Sequence, residues 1–215
     1  MNAQAEDTND PCRRRCFIAA DKKALYRICQ QTGDAGKDAT HIFHDVDLLG
    51  DLYVGPYLEF EPELAWTIED GRGVCGYVLA VSDTVAYQKW HLRNWLPKIR
   101  KGRHFPKIPE EDWTMDDALR ASLFEFEFDR PEWLEQFPSH IHIDLLPRIQ
   151  GKGWGSRYAQ DMLDTLCQKG SVGVHLGMHP ENLQALSFYQ KLGFQVLEQV
   201  ELRWEEVLYL GKYLQ

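Results

Sequence analysis

The sequence predicts one α/β domain in which a mixed β-sheet carries helices on both faces. Short apolar runs with period-two alternation are interleaved with segments of helical period. A strand, two helices and a hairpin fill the first half, one β-α-β unit lies in the second, and a strand pair closes the chain. The length of 215 residues, with 44% apolar and 12% aromatic side chains, suits one large domain with a sizeable core.

Residues 1–13 are polar and read as a flexible tail, leaving 14–215 as the domain. Residues 16–20 read as a short strand. Asp21 follows as an N-cap for a helix that turns Ala24, Leu25 and Ile28 inward and stops near Thr32 and Gly33. Residues 33–40 form a Gly/Asp loop. Residues 45–53 read as a second helix, with Val46, Leu48, Leu49 and Leu52 apolar, broken at Gly55 and Pro56. Residues 64–68 and 74–81 flank an Asp70-Gly71-Arg72-Gly73 turn and predict an antiparallel hairpin. Residues 85–100 have a helical period through Val85, Trp90, Trp95 and Ile99. Pro97 places its end near Leu96, because proline lacks the N–H that a helix interior uses. The segment 84–138 is long for a link between two strands and reads as an insertion, a wall or lid containing a helix near 115–122. Residues 140–146 are a strand and 153–168 a helix with Tyr158, Met162, Leu163 and Leu166 on one face. A strand at 172–178, a helix at 181–192 ended by Gly193, and strands at 194–200 and 207–214 complete the order.

Composition narrows the function. With 24 basic and 33 acidic side chains the net charge is −9. That balance disfavours nonspecific nucleic-acid binding and is compatible with amine substrates, although an acidic surface more often only aids solubility. Five cysteines, with no C-x-x-C pair, read as reduced thiols. No apolar run approaches a membrane span and no signal-peptide core opens the chain, so the expected compartment is the cytoplasm, with the nucleus left open. His175 and His179, four apart on a strand and without a third ligand, do not make a metal site. The basic run of Lys98, Arg100, Lys101, Arg103 and His104 reads as a solvated surface, with acidic-peptide binding as the minor alternative.

Residues 139–155, Ser-His-Ile-His-Ile-Asp-Leu-Leu-Pro-Arg-Ile-Gln-Gly-Lys-Gly-Trp-Gly, run a strand into a glycine turn that opens a helix. Gln150, Gly153 and Gly155 fit the spacing Q/R-x-x-G-x-G/A. Glycines at 151, 153 and 155 let the backbone approach a ligand, and a helix N-terminus adds unpaired N–H groups and partial positive charge. Together they suit a pyrophosphate, with Lys152 and Arg157 adding charge. A dinucleotide-binding turn is disfavoured, since Ser156 follows Gly155 and Tyr occupies position 158. Downstream stands Asn182-x-x-Ala185-x-x-Phe188-Tyr189-x-Lys191-Leu192-Gly193-Phe194. On a helix, Asn182, Ala185 and Tyr189 fall close to one face. An amide there can bond a peptide-like ligand arm, and a tyrosine hydroxyl can protonate a leaving thiolate. Taken alone, the segment reads first as an amphipathic helix with a core Phe-Tyr pair, and only second as a binding element. In the strand, His140, His142 and Asp144 alternate with Ile141 and Ile143 and share a face. Polar residues there need partners or a wet cavity. They form either an active-site cleft with Asp144 or His142 as base, or a hydrogen-bonded cluster with His140 at an exposed strand end.

The two elements, in this order and separated by one strand, resemble the GNAT superfamily of N-acetyltransferases over about 139–200. The segments Arg27-Ile-Cys-Gln-Gln-Thr-Gly-Asp-Ala-Gly-Lys-Asp-Ala-Thr, Asp47-Leu-Leu-Gly-Asp-Leu-Tyr-Val-Gly-Pro-Tyr-Leu and Gly73-Val-Cys-Gly-Tyr-Val-Leu further resemble bacterial-type GNAT proteins similar to the C-terminal domain of O-GlcNAcase. That likeness would cover most of 16–215. It implies a GNAT fold, a mostly antiparallel central sheet whose fourth and fifth strands splay to admit a pantetheine arm. It implies acetyl-CoA as co-substrate, an amine acceptor of open identity, and no metal. Carried over, Gln150, Gly151, Lys152, Gly153, Trp154 and Gly155 hold the pyrophosphate. Leu145 and Leu146 offer backbone to the acyl and pantetheine groups. Asn182 bonds the pantetheine region with Phe188 in the same binding set, and Tyr189 is the acid. Asp34 and Asp38 lie in a loop that lines the acceptor site in this superfamily; they bind a cationic acceptor or serve only solubility. In the animal O-GlcNAcase domain the acetyl-CoA signature is degraded and the domain is regarded as a pseudo-acetyltransferase, whereas here the signature is intact. Two functions follow, an acetyl-CoA-dependent N-acetyltransferase or a non-catalytic acyl-CoA-binding or interaction module.

Overall fold

The computed structural model describes residues 12–127, 130–203 and 206–215. Most of the expected tail, residues 1–11, lies outside the described residues, and residues 12 and 13 already belong to the first strand. Seven strands form one sheet: β1 (Cys12–Cys16), β2 (Ala65–Asp70), β3 (Gly73–Val81), β4 (Ser139–Leu145), β5 (Gly173–Met178), β6 (Gln195–Glu201) and β7 (Glu206–Tyr213). Their order across the sheet is β1-β2-β3-β4-β5-β7-β6. Every pairing is antiparallel except β4 with β5. The helices are α1 (Lys22–Thr32), α2 (Val46–Tyr53), α3 (Gly55–Phe60), α4 (Thr84–Trp90), α5 (Leu96–Arg100), α6 (Met115–Glu125), α7 (Trp154–Gln168) and α8 (Leu183–Lys191).

Period-two alternation explains how one sheet serves two cores. On β3, Val78 and Ala80 face α7, where Tyr158, Met162, Leu163 and Leu166 pack against them with Ile141 and Val174. Tyr77 and Leu79 point the other way, into the cluster built by Leu25, Ile28 and Cys29 of α1 and Leu49 of α2. The segment between β3 and β4 adds a third cluster, in which Trp95, Leu96, Ile99 and Leu123 enclose Leu48 of α2.

Four expectations are corrected. The first strand lies four residues earlier than its apolar run suggested. Arg13 and Arg15 both bond Glu69 across the β1–β2 pair, and Arg14 lies over the Trp66 ring at 4.0 Å. Ile18, counted as strand, is 55% exposed. Asp21 precedes α1 but makes no capping bond to it; its buried carboxylate accepts instead from Arg15, the Ile18 N–H and Thr67. Gly55 and Pro56 do not end the helical stretch. After Val54 they begin α3, where the missing proline N–H has no intrahelical role. Pro97 behaves likewise. A π-type turn at His91–Trp95 resets the hydrogen-bond register, Pro97 falls in the first turn of α5, and the helical course reaches Arg100. No helix among the described residues is long and apolar enough to cross a membrane.

Candidate active site

The site begins where the sheet opens. β4 and β5 are paired only at Ser139 with Val174 and His140 with His175. Beyond that seam they separate, as the expected splay requires. The Ser139 hydroxyl donates to the Ser82 carbonyl and sits 2.7 Å from the Ser171 hydroxyl, fixing the closed end. The Leu146 N–H donates to the Cys75 carbonyl, which sets the parity of β4. Even-numbered residues turn their backbone groups to β3, so those of Ile143 and Leu145 face the gap, where no strand lies opposite.

The glycine turn lies at the open end of β4. Gly151 has φ 70° and Gly153 φ 84°, the left-handed region that strains any side chain. A Cβ at either position would meet nothing within 4 Å, so the space over both backbones is open. Gly153 precedes α7 without any capping side chain, which leaves first-turn N–H groups of that helix unsatisfied by a cap. Gly155 has a different task. A Cβ there would lie 2.9 Å from Leu145 Cδ1 and 3.4 Å from Phe188 Cε2, so its smallness lets α7, β4 and α8 meet. The expectation that all three glycines admit a ligand therefore narrows to Gly151 and Gly153. Gln150 is occupied within the protein: its Nε2 donates to the Leu145 carbonyl at 2.7 Å and its Oε1 accepts from Gln184 at 3.1 Å. Lys152 Nζ donates to the Arg148 carbonyl. Trp154 stacks on Tyr158, and the exposed Arg157 guanidinium lies 5.7 Å from the Trp154 ring.

Asn182 is the N-cap of α8. Its Oδ1 accepts from the Ala185 N–H at 3.0 Å, leaving Nδ2 as a donor. A Cβ at Gly36 would lie 2.9 Å from that Nδ2, so the loop after α1 reaches the start of α8. Asp34 and Asp38 belong to this loop. Asp38 accepts from the Thr40 N–H, which holds its carboxyl below the usual range, while Asp34 and Lys37 form a backbone bridge. Neither carboxylate bonds His142, Asp144 or Tyr189. Tyr189 is buried near the end of α8, edge-on to Phe188 and Phe194 at 5.0 and 5.4 Å. Its hydroxyl has no hydrogen-bond partner among the described residues. Burial, then the Asp144 charge and Tyr57, push its pKa up, so it keeps its proton at neutral pH.

On the other side of β4, His142 Nε2 lies 3.2 Å from Asp144 Oδ2. His142 Nδ1 donates to the Tyr53 carbonyl at 2.9 Å, which fixes the tautomer and turns Nε2 to Asp144. Burial works to lower the His142 pKa, but the Asp144 charge, their hydrogen bond and the Tyr53 carbonyl outweigh it and raise it. The hydroxyl of the fully buried Tyr77 donates to the same Asp144 oxygen. The arrangement can take up a proton as an imidazolium–carboxylate pair beside a protonated phenol. His140 is not at an exposed strand end. It is 8% exposed, lies against Tyr57 and Tyr87, and shares a 2.8 Å hydrogen bond with Thr84; burial and the neighbouring histidines push its pKa well down. His175 bonds the Phe137 carbonyl, and no group of three or more His, Cys, Asp or Glu able to hold a metal occurs among the described residues.

The sequence reading missed Tyr77 and the Tyr53 carbonyl. Hairpin parity was the available signal for Tyr77, which pairs directly with Asp144 across β3–β4. Tyr53 contributes backbone only, and no residue type marks that.

Comparison with known proteins bears on this geometry. The family profile described as FR47-like protein matches residues 135–204. The curated Protein O-GlcNAcase of Rattus norvegicus is 26% identical over 201 residues, 93% of this chain, and the Mus musculus protein matches to the same extent. The chain spans 22% of the length of either relative. A crystal structure of SsHAT superposes with TM-score 0.83 at 31% identity, over 96% of this chain and 100% of that one. The putative acetyltransferase yncA from Salmonella typhimurium, solved with acetyl-CoA, shares the fold at TM-score 0.55 and 15% identity, over 96% of this chain and 95% of that one.

Proposed function

The chain belongs to the GNAT family of acetyltransferases, and from that premise we propose that it transfers an acetyl group from acetyl-CoA directly to an amine. The observation that carries the reading is the His142–Asp144 pair on the strand that edges the gap, with the buried, partnerless Tyr189 hydroxyl close enough to feel the Asp144 charge. The donor's chemistry fits the residues present. The open space over Gly151 and Gly153 and the uncapped start of α7 suit a pyrophosphate. The Ile143 and Leu145 backbone groups suit a pantetheine amide and an acyl oxygen. Gln150 would act by holding the turn to β4 and α8, and Asn182 by its free Nδ2.

Acetyl-CoA supplies the activated thioester. In the transfer, a C–N bond forms as the C–S bond breaks. The amine's proton passes to the His142–Asp144 pair, which holds it as imidazolium beside carboxylate. Tyr189 donates its proton to the departing sulfur. Tyr77 and the Tyr53 carbonyl orient the pair. Asp34 and Asp38 would attract a cationic acceptor from the loop beside α8. We read the chain from β1 onward as one domain with 84–138 inserted, acting in the cytoplasm.

The test is calorimetric titration with acetyl-CoA, followed by thiol release with a panel of amines. Binding with amine-dependent release supports the reading. Binding without release on any amine would leave a non-catalytic acyl-CoA module, and no binding would remove both.

A further inference from the structure

We propose that Tyr57 of α3 and Tyr87 of α4 form the acceptor subsite and select a compact, hydroxyl-bearing amine; this rests on the acetyl-transfer reading above. The chain has nine tyrosines. The hydroxyls of Tyr26, Tyr77, Tyr158 and Tyr213 each donate to a carboxylate, carbonyl or amide oxygen. Those of Tyr57, Tyr87 and Tyr189 have no hydrogen-bond partner among the described residues, and Tyr57 links the other two. The rings of Tyr57 and Tyr87 are 5.5 Å apart, and the Tyr57 hydroxyl lies within electrostatic reach of both Tyr87 and Tyr189. Partly buried phenols ordinarily find a partner. Three gathered without one, beside the groups that would take and give the reaction's protons, are poised for a ligand's polar atoms.

The walls indicate which ligand. His140 stands edge-on to both rings, at 5.2 Å from Tyr57 and 4.9 Å from Tyr87, and burial keeps it uncharged. Tyr57 also faces the His142 ring at 6.1 Å. Among the described residues no lysine or arginine lies over either ring, and the charged pair beside Tyr57 is His142 with Asp144, so no free cation is offered there to an anionic group. Phenol hydroxyls both donate and accept, which matches alcohol groups. Ring faces accept C–H surface or an ammonium. Tyr87 comes from the segment between β3 and β4, which walls this side and favours a small molecule over an extended polypeptide.

The experiment compares matched amines with and without hydroxyls, D-glucosamine against cyclohexylamine and ethanolamine against propylamine, on the wild-type chain, Tyr57→Phe and Tyr87→Phe. Each variant removes one oxygen and keeps the ring. The expected result is that kcat/KM for the hydroxylated member falls about five- to tenfold, the worth of one hydrogen bond. The other member changes less than about twofold, and acetyl-CoA binding stays the same. Equal losses on both members of a pair, or transfer confined to a lysine peptide, would overturn the subsite and leave acetyl transfer standing. No transfer to any amine would overturn both.

Discussion

Replacing Gly153 by alanine separates the turn's two demands, backbone freedom and open space. Its φ of 84° and ψ of −12° are left-handed, so a methyl group there costs about 1–2 kcal/mol of backbone strain. The methyl meets no atom within 4 Å, so no packing loss adds to this in the free protein. For a chain of this size, melting should fall by about 2–8 °C. Acetyl-CoA affinity should fall much further, because the methyl would occupy the space through which backbone amides reach the pyrophosphate. Losing one charge-assisted hydrogen bond, about 1.5–3 kcal/mol, weakens binding about ten- to a hundredfold. Gly170 provides the control. It lies just past the other end of α7, has φ 90°, and its Cβ would also meet nothing within 4 Å. Gly170→Ala should match the melting loss and leave acetyl-CoA binding unchanged. The assay is scanning calorimetry beside isothermal titration on both variants. If Gly153→Ala loses the same stability as Gly170→Ala and binds acetyl-CoA within twofold of wild type, the turn is not a phosphate cradle.

Other expectations concern the proton-handling groups. Tyr189→Phe should lower kcat about a hundredfold while acetyl-CoA binding persists, because only the acid is lost; an unchanged rate would remove Tyr189 from the mechanism. Asp144→Asn takes away the charge that raises the His142 pKa and leaves burial, which lowers it, opposed only by the Tyr53 carbonyl. Since the unprotonated pair is the active form, the rising limb of the pH–rate profile should move to lower pH and the rate should drop. Stability follows the same sign. The contribution from the raised His142 pKa is full below about 6.5 and disappears as pH rises through the folded value, so the variant should lose more stability at pH 5 than at pH 8 in urea titrations. An unshifted limb and a pH-independent loss would show that the two groups are not coupled. His175 has the opposite sign: burial pushes its pKa down to about 4. The stability of its neutral form is present above about 6.5 and is lost as pH falls toward 4, up to about 3 kcal/mol in all. His175→Gln should flatten that acid slope in urea midpoints measured from pH 7 to 4.

Much of this was legible because local chemistry marked it. The glycine turn, the alternating His140, His142 and Asp144, and the Asn182–Tyr189 helix occupy the elements expected of them. The misplacements have physical causes. Phe17 and Ile18 supplied an apolar run, but β1 is held by arginines on Glu69, a tertiary contact that hydropathy does not report. Pro97 and Pro56 read as terminators, yet each falls in a first helical turn where its missing N–H is harmless. Tyr57, Tyr77 and Tyr87 are 20 and 10 positions apart in the sequence; only the folding of α3, β3 and α4 around β4 makes them neighbours of His140 and His142.

The separation of β4 from β5 places an unpaired strand edge inside the sheet. At a sheet's margin such an edge is a template on which other chains can add strands and aggregate. Here it is short, because the gap-facing backbone beyond the seam amounts to Ile143 and Leu145, and Gln150 already takes the Leu145 carbonyl. Another polypeptide would have to enter a cleft closed at one end by the Ser139 seam and crossed at the other by the glycine turn. An internal edge is thereby kept open to a thin, amide-bearing ligand and closed to strand addition, so the protein can hold a broken sheet without the hazard that an open edge carries elsewhere.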